Sequence, residues 1–131
     1  MSDETPPILG GIGWVDLTVP DAETVRDFYK EVTGWNATDV SMGDYNDYCM
    51  HSPEDGTVVA GVCHARGVNE SLPAQWLIYI DVADLKQSIQ RCIELGGKVL
   101  AEPRSSGPHG AFCVIQDPAG AVVALFQRGA S

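Results

Sequence analysis

The sequence has no apolar run long enough to cross a bilayer, and its opening, MSDETPPILG, has neither the basic start nor the apolar core of a secretory signal. No membrane partner is expected, and a cytoplasmic location is. Positive charge is scarce too: 8 Lys and Arg stand against 18 Asp and Glu, a net charge of -10. Phosphate backbones would be repelled, which argues against nucleic acid and leaves a neutral or cationic small ligand compatible. The four cysteines, Cys49, Cys63, Cys92 and Cys113, show no CxxC spacing and sit in apolar segments, so buried thiols are expected rather than disulfides. Phosphate-binding glycine patterns are also missing. GGIGW (Gly10 to Trp14) is followed by a strand, not a helix, and the glycines of DLKQSIQRCIELGGKVL end a helix.

What is present is one domain's length, 131 residues, that repeats itself. WVDLTVPDAETVRDFYKEVTGW from Trp14 matches LIYIDVADLKQSIQRCIELGGK from Leu77, an offset of 77 - 14 = 63 residues. Each copy reads as an alternating strand leading into an Asp, Asp21 or Asp84, whose carboxylate can accept from the free N–H groups of a helix's first turn. The first helix carries Val25, Phe28, Tyr29 and Val32 at helical spacing and stops at Gly34. The second carries Leu85, Ile89, Cys92 and Ile93 and stops at Gly96-Gly97. By period-2 alternation, Val15, Leu17 and Val19, and again Ile78, Ile80 and Val82, form the strand faces that receive these helices.

The second halves repeat with an offset of 113 - 49 = 64: CMHSPEDGTVVAGV from Cys49 resembles CVIQDPAGAVVALF from Cys113. Gly56 then aligns with Gly120, Ala60 with Ala124 and Cys49 with Cys113, which predicts equivalent packing for the two thiols. Pro, Asp and Gly between apolar runs mark hairpins, so Asp117 to Gly120 is a turn and Ala121 to Gln127 the last strand. Further strands are expected at Asn36 to Val40 and Lys98 to Pro103, loops at Ser41 to Asp47 and Ser105 to Gly110, and a linker at Ala65 to Gln75. The fold class is therefore α+β: two βαβββ modules, residues 11–64 and 76–127, forming a cupped mixed sheet with helices on the outer face of a single domain.

LTVPDAETVRDFYKEVTGW, YIDVADLKQSIQRCIELGGKVL and DPAGAVVALFQ resemble the vicinal oxygen chelate superfamily of glyoxalases, bleomycin-resistance proteins and extradiol dioxygenases. The resemblance runs from about Gly11 to Gln127. It implies paired βαβββ modules and, in the enzymes, a divalent metal held by His at the start of a module's first strand and Glu on its last. Counting from the capping Asp residues and from the turns places Trp14, Leu77, Ala60 and Ala124 at those positions. A shift of one residue offers Val15, Ile78, Gly61 and Leu125, which cannot chelate either. No metal site and no cofactor are expected, and a divalent metal would need noncanonical ligands such as His64 with Asp16 or with His109.

The strand faces turned away from the helices are expected to carry Trp14, Asp16 and Thr18, then Val58, Ala60, Val62 and His64. In the second module they carry Leu77, Tyr79 and Asp81, then Val122, Ala124 and Phe126. From these the expected ligand-binding residues are Trp14, Asp16, Ala60, His64, Leu77, Tyr79, Ala124 and Phe126. Such a wall, apolar and aromatic with few polar groups, suits an aromatic or cationic small molecule. Three functions stay open: a metal-free binding protein of the bleomycin-resistance kind, a glyoxalase- or dioxygenase-like enzyme with noncanonical ligands or acid-base chemistry, and a degenerate interaction module. Open sheet edges, and the sharing of sites across subunits in the superfamily, imply a homodimer.

Overall fold

A computed structural model describes residues 8–105 and 110–129; His109 lies outside the described residues. The element order is β1 (Ile12–Val19), α1 (Ala22–Thr33), β2 (Asn36–Ser41), β3 (Asn46–His51), β4 (Val58–His64), a 3-10 turn at Gly67–Asn69, β5 (Trp76–Asp81), α2 (Leu85–Glu94), β6 (Lys98–Ser105), β7 (Gly110–Gln116) and β8 (Val122–Arg128). This is the α+β pattern of two βαβββ modules. The loop expected at 41–47 is shorter than the sequence suggests, since β2 runs through Ser41 and β3 begins at Asn46.

Contacts divide the chain into two compact units, one of residues 14–76 and one of residues 77 onward together with the lead-in up to Gly13. Within the first unit, module one, the strand order is β2-β3-β4-β1, with β1 and β4 parallel and the other pairs antiparallel. Asp21 caps α1 by accepting from the Thr24 N–H at 3.2 Å, and Gly34 ends it in the left-handed region at φ 82°. The helix lays Ala22, Val25 and Tyr29 against Leu17, Val19, Tyr48, Met50, Ala60 and Val62. Phe28 and Val32 of the sequence stripe stay exposed, because the stripe is wider than the contact the helix makes. Tyr29 extends the cluster through Trp35 and Trp76, whose indole N–H donates to the Tyr29 hydroxyl at 3.1 Å.

In module two the order is β5-β8-β7-β6, with β5 and β8 parallel. Asp84 caps α2 by accepting from the Gln87 N–H at 3.1 Å, and the side-chain oxygen of Gln127 accepts from the Leu85 N–H at 2.7 Å. Leu85 packs on Cys113 and Leu125, with Ile80, Val82 and Ile89 beside them. The lead-in glycines pair here: the Gly10 N–H donates to the Asp81 carbonyl at 2.7 Å, and the Asp81 N–H to the Gly11 carbonyl at 2.9 Å.

The strand registers correct the repeat. Asp16 pairs with Gly61 and Leu17 with Val62 in module one, while Tyr79 pairs with Ala124 and Ile80 with Leu125 in module two. Gly61, not Ala60, is therefore the counterpart of Ala124. The cause is a register shift in the first hairpin: Met50 pairs with Ala60 but His51 with Val58, so Val59 is left without a partner. One extra residue in a strand turns every side chain after it to the other face.

Candidate functional site

Two side chains directly paired across neighbouring strands point to the same face. In module one the face away from α1 therefore carries Trp14, Asp16 and Thr18 of β1, Gly61 and Cys63 of β4, and Asp47, Cys49 and His51 of β3, continued by Thr38 of β2. Ala60 and Val62 lie on the opposite face, in the core under α1, where the sequence reading had set them beside Trp14. His64 is on that side as well. It pairs with Val19, its Nδ1 lies 2.8 Å from the Asn46 carbonyl, and its ring meets Tyr45 and Tyr48 at 5.5 and 6.1 Å. The bulge at Val59 moved these residues, and nothing in the local alternation of β4 announces it.

Trp14 and Asp16 are brought together as expected. The Trp14 indole N–H donates to Asp16 Oδ2 at 3.2 Å, and Asp16 is 8 % exposed. The ring lies over Gly61: a Cβ at that position would meet Trp14 Cζ2 at 3.2 Å and the Asp16 Cβ at 3.2 Å. A glycine is what lets the indole lie down on the sheet. The result is a half-buried aromatic surface whose polar edge is tied to a buried carboxylate.

Next to it, the Cys63 thiol is pushed up first by burial and then by the charges of Asp16 and Asp47, so it stays neutral. Burial likewise raises Cys49. These two thiols are poor thiolates and poor metal ligands as they stand. Cys49 and Cys113 are not equivalent: Cys49 pairs with Gly61 on the helix-free face, whereas Cys113 pairs with Leu125 in the core under α2.

The helix-free face of module two carries Leu77, Tyr79 and Asp81 of β5 and Ala124 and Phe126 of β8, as the sequence alternation predicts. Phe112 and Val114 of β7 join them by pairing with Phe126 and Ala124. Tyr79 and Phe112 meet at 5.9 Å between ring centroids, and the Arg104 guanidinium lies 5.8 Å from the Phe112 ring. Leu77, Val114 and Ala124 are fully buried. Phe112 and Arg104 escaped the sequence reading because β6 and β7 could be placed but not registered from the sequence.

With registers in hand, the four positions at which the superfamily resemblance implies metal ligands are Trp14, Gly61, Leu77 and Ala124. None fits a metal. An indole N–H has no free lone pair in the ring plane, Leu, Gly and Ala offer no donor, and the space above Gly61 is taken by Trp14. Among the described residues no group of three or more His, Cys, Asp or Glu is placed to hold an ion. No helix among them is long and apolar enough to cross a membrane.

Comparison with known proteins agrees with this architecture. The family described as Glyoxalase/Bleomycin resistance protein/Dioxygenase superfamily matches residues 11–125. An anthracycline biosynthesis protein of Streptomyces peucetius, DnrV, is 31% identical over 132 aligned positions, covering 92% of this chain and 48% of that protein. The chain thus spans about half the length of that curated relative. Among solved structures, methylmalonyl-CoA epimerase from Mycobacterium tuberculosis superimposes with a TM-score of 0.56 at 15% identity, covering 98% of this chain and 95% of the other. A variant of homoprotocatechuate 2,3-dioxygenase from B. fuscum does so with a TM-score of 0.57 at 22% identity, over 95% of this chain and 34% of the other. At such identities the structural likeness speaks for the fold.

Proposed function

The chain belongs to the Glyoxalase/Bleomycin resistance protein/Dioxygenase superfamily, and we propose that within it the protein binds an aromatic or cationic small molecule without the divalent metal its enzyme relatives use. The observation that carries this reading is the Trp14 indole lying over Gly61 with its N–H on buried Asp16. A planar ring can stack on the indole, and a positive group gains from the ring face and the carboxylate together. The strongly acidic chain attracts cations at longer range. Similarity to a protein of anthracycline biosynthesis is in keeping with an aromatic small-molecule ligand.

The test is a titration with planar aromatic amines, proflavine first, followed by tryptophan fluorescence. Saturable quenching is expected, with affinity falling at least about tenfold in Trp14→Ala, the loss of one stacking contact of roughly 1.4 kcal/mol. Unchanged affinity in that variant would remove Trp14 from the site.

A second reading, an enzyme using Asp16 in acid-base chemistry, is favoured by the burial of that carboxylate. It predicts turnover of a bound compound that is lost in Asp16→Asn while binding persists. Self-association as a homodimer, proposed from β2 and β6 standing last in their modules' strand orders, is read by sedimentation velocity.

A further inference from the structure

Thr38 and His51 face each other on the helix-free side of module one. Thr38 pairs with Cys49, and His51 stands two residues beyond Cys49 on the same strand, so the two side chains reach across a diagonal. Thr38 Oγ1 lies 2.8 Å from His51 Nε2, and His51 Nδ1 lies 2.8 Å from the Gly56 carbonyl oxygen. A carbonyl oxygen has no proton to give, so Nδ1 carries the hydrogen. In the neutral ring Nε2 is then the bare nitrogen, and the Thr38 hydroxyl donates to it.

The carbonyl that orients the ring is itself held. Gly56 occupies the left-handed region at φ 77°, and the turn is closed by the Ser52 N–H on the Thr57 carbonyl at 2.8 Å and the Gly56 N–H on the Ser52 carbonyl at 3.0 Å. A hydroxyl whose proton points at a base, with the base oriented by a third group, is the arrangement that activates an oxygen nucleophile. Thr38 is exposed on β2, within reach of a solute.

We propose that Thr38, with His51 as its general base, is a nucleophile toward carboxylic esters that have a good leaving group, and that the chain is acylated there. Thr38 Oγ1 forms a bond to the ester carbonyl carbon while its proton passes to His51 Nε2. The bond from that carbon to the leaving oxygen breaks, and the departing oxygen takes the proton from His51. Nothing is oxidised or reduced, and no metal takes part. The proposal is independent of what Trp14 binds.

The experiment uses 4-nitrophenyl acetate on the whole chain carrying Cys49→Ala, which silences the neighbouring thiol, with intact-mass measurement and peptide mapping. One acetyl group is expected on Thr38, retained in Thr38→Ser and lost in Thr38→Val. Both His51→Asn and His51→Gln should slow its appearance about 100-fold, the usual scale of general-base assistance. Acetyl found only at lysines, cysteines or the amino terminus would overturn the proposal, as would unchanged acetylation of Thr38 in both folded His51 variants. Circular dichroism of each variant separates lost reactivity from lost fold.

Discussion

Module one and module two run through the same strand, helix and three strands, yet they treat the face away from the helix differently. In module one that face is mixed: an indole on a glycine, a buried carboxylate, two neutral thiols and a Thr–His pair. In module two it is built mostly from aliphatic and aromatic groups, with Leu77, Val114 and Ala124 fully buried. The two positions at which the superfamily resemblance implies a carboxylate differ as well, a glycine roofed by Trp14 in one module and a buried alanine in the other. The two modules share their order of strands and helix while each carries its own side chains on the helix-free face, and a one-residue bulge at Val59 is enough to reassign which side chains of β4 face which way.

The comparison can be broken first at its cores. Met50 is fully buried under α1, so Met50→Ala should cost about 2–5 kcal/mol in urea denaturation. If Met50 instead faced the ligand side, the loss would be small and binding would change. A sharper contrast sets Gly61→Ala against Ala124→Gly. The new methyl would meet the Trp14 ring and the Asp16 Cβ at 3.2 Å each and push them back by a few tenths of an ångström, which should cost up to about 1–3 kcal/mol and shift the tryptophan emission. Ala124→Gly should cost about 0.5–1 kcal/mol and leave the emission alone.

Cysteine alkylation separates the two hairpins next. Cys113 is fully buried and its thiol pushed up to about 11, while Cys49 on the helix-free face is half-buried, its thiol also raised by burial. Iodoacetamide at neutral pH should therefore mark Cys49 before Cys113, read by peptide mapping. Equal rates would restore the equivalence that the alignment of Cys49 with Cys113 suggests. The smallest effect is acid softening of α1. The Thr24 hydroxyl and N–H bonded to Asp21 hold its carboxyl below the ordinary 3.8. A depressed carboxyl contributes stability that is present above 3.8 and is lost as pH falls through the lowered value. Circular dichroism should show α1 helicity fading there, with Asp21→Asn blunting the dependence.

Much of this was legible in the residues. Asp21 and Asp84 announced both caps, Gly34 the end of the first helix, and the alternation of β1 and β5 put Trp14 with Asp16 and Tyr79 opposite Ile80 on the correct faces. Ala60 and His64 were misplaced because hairpin turns aligned on Gly56 and Gly120 hide a residue absorbed after the turn. A bulge is a property of pairing, not of composition, so no pattern within VVAGVCH reveals it. The Thr38–His51–Gly56 contact was invisible for the same reason: it joins two strands and a turn whose mutual register the sequence leaves open. Phe28 and Val32 taught the converse, since an apolar stripe fixes a helix but not how much of it is covered.

The central claim is that module one offers a ligand surface and not a metal site. The most direct test is the elemental content of tag-free protein after anaerobic incubation with nickel, zinc, manganese and ferrous iron followed by gel filtration. The account predicts no ion retained in stoichiometric amount. Close to one ion per chain, lost on substitution of Asp16 or His64, would contradict it.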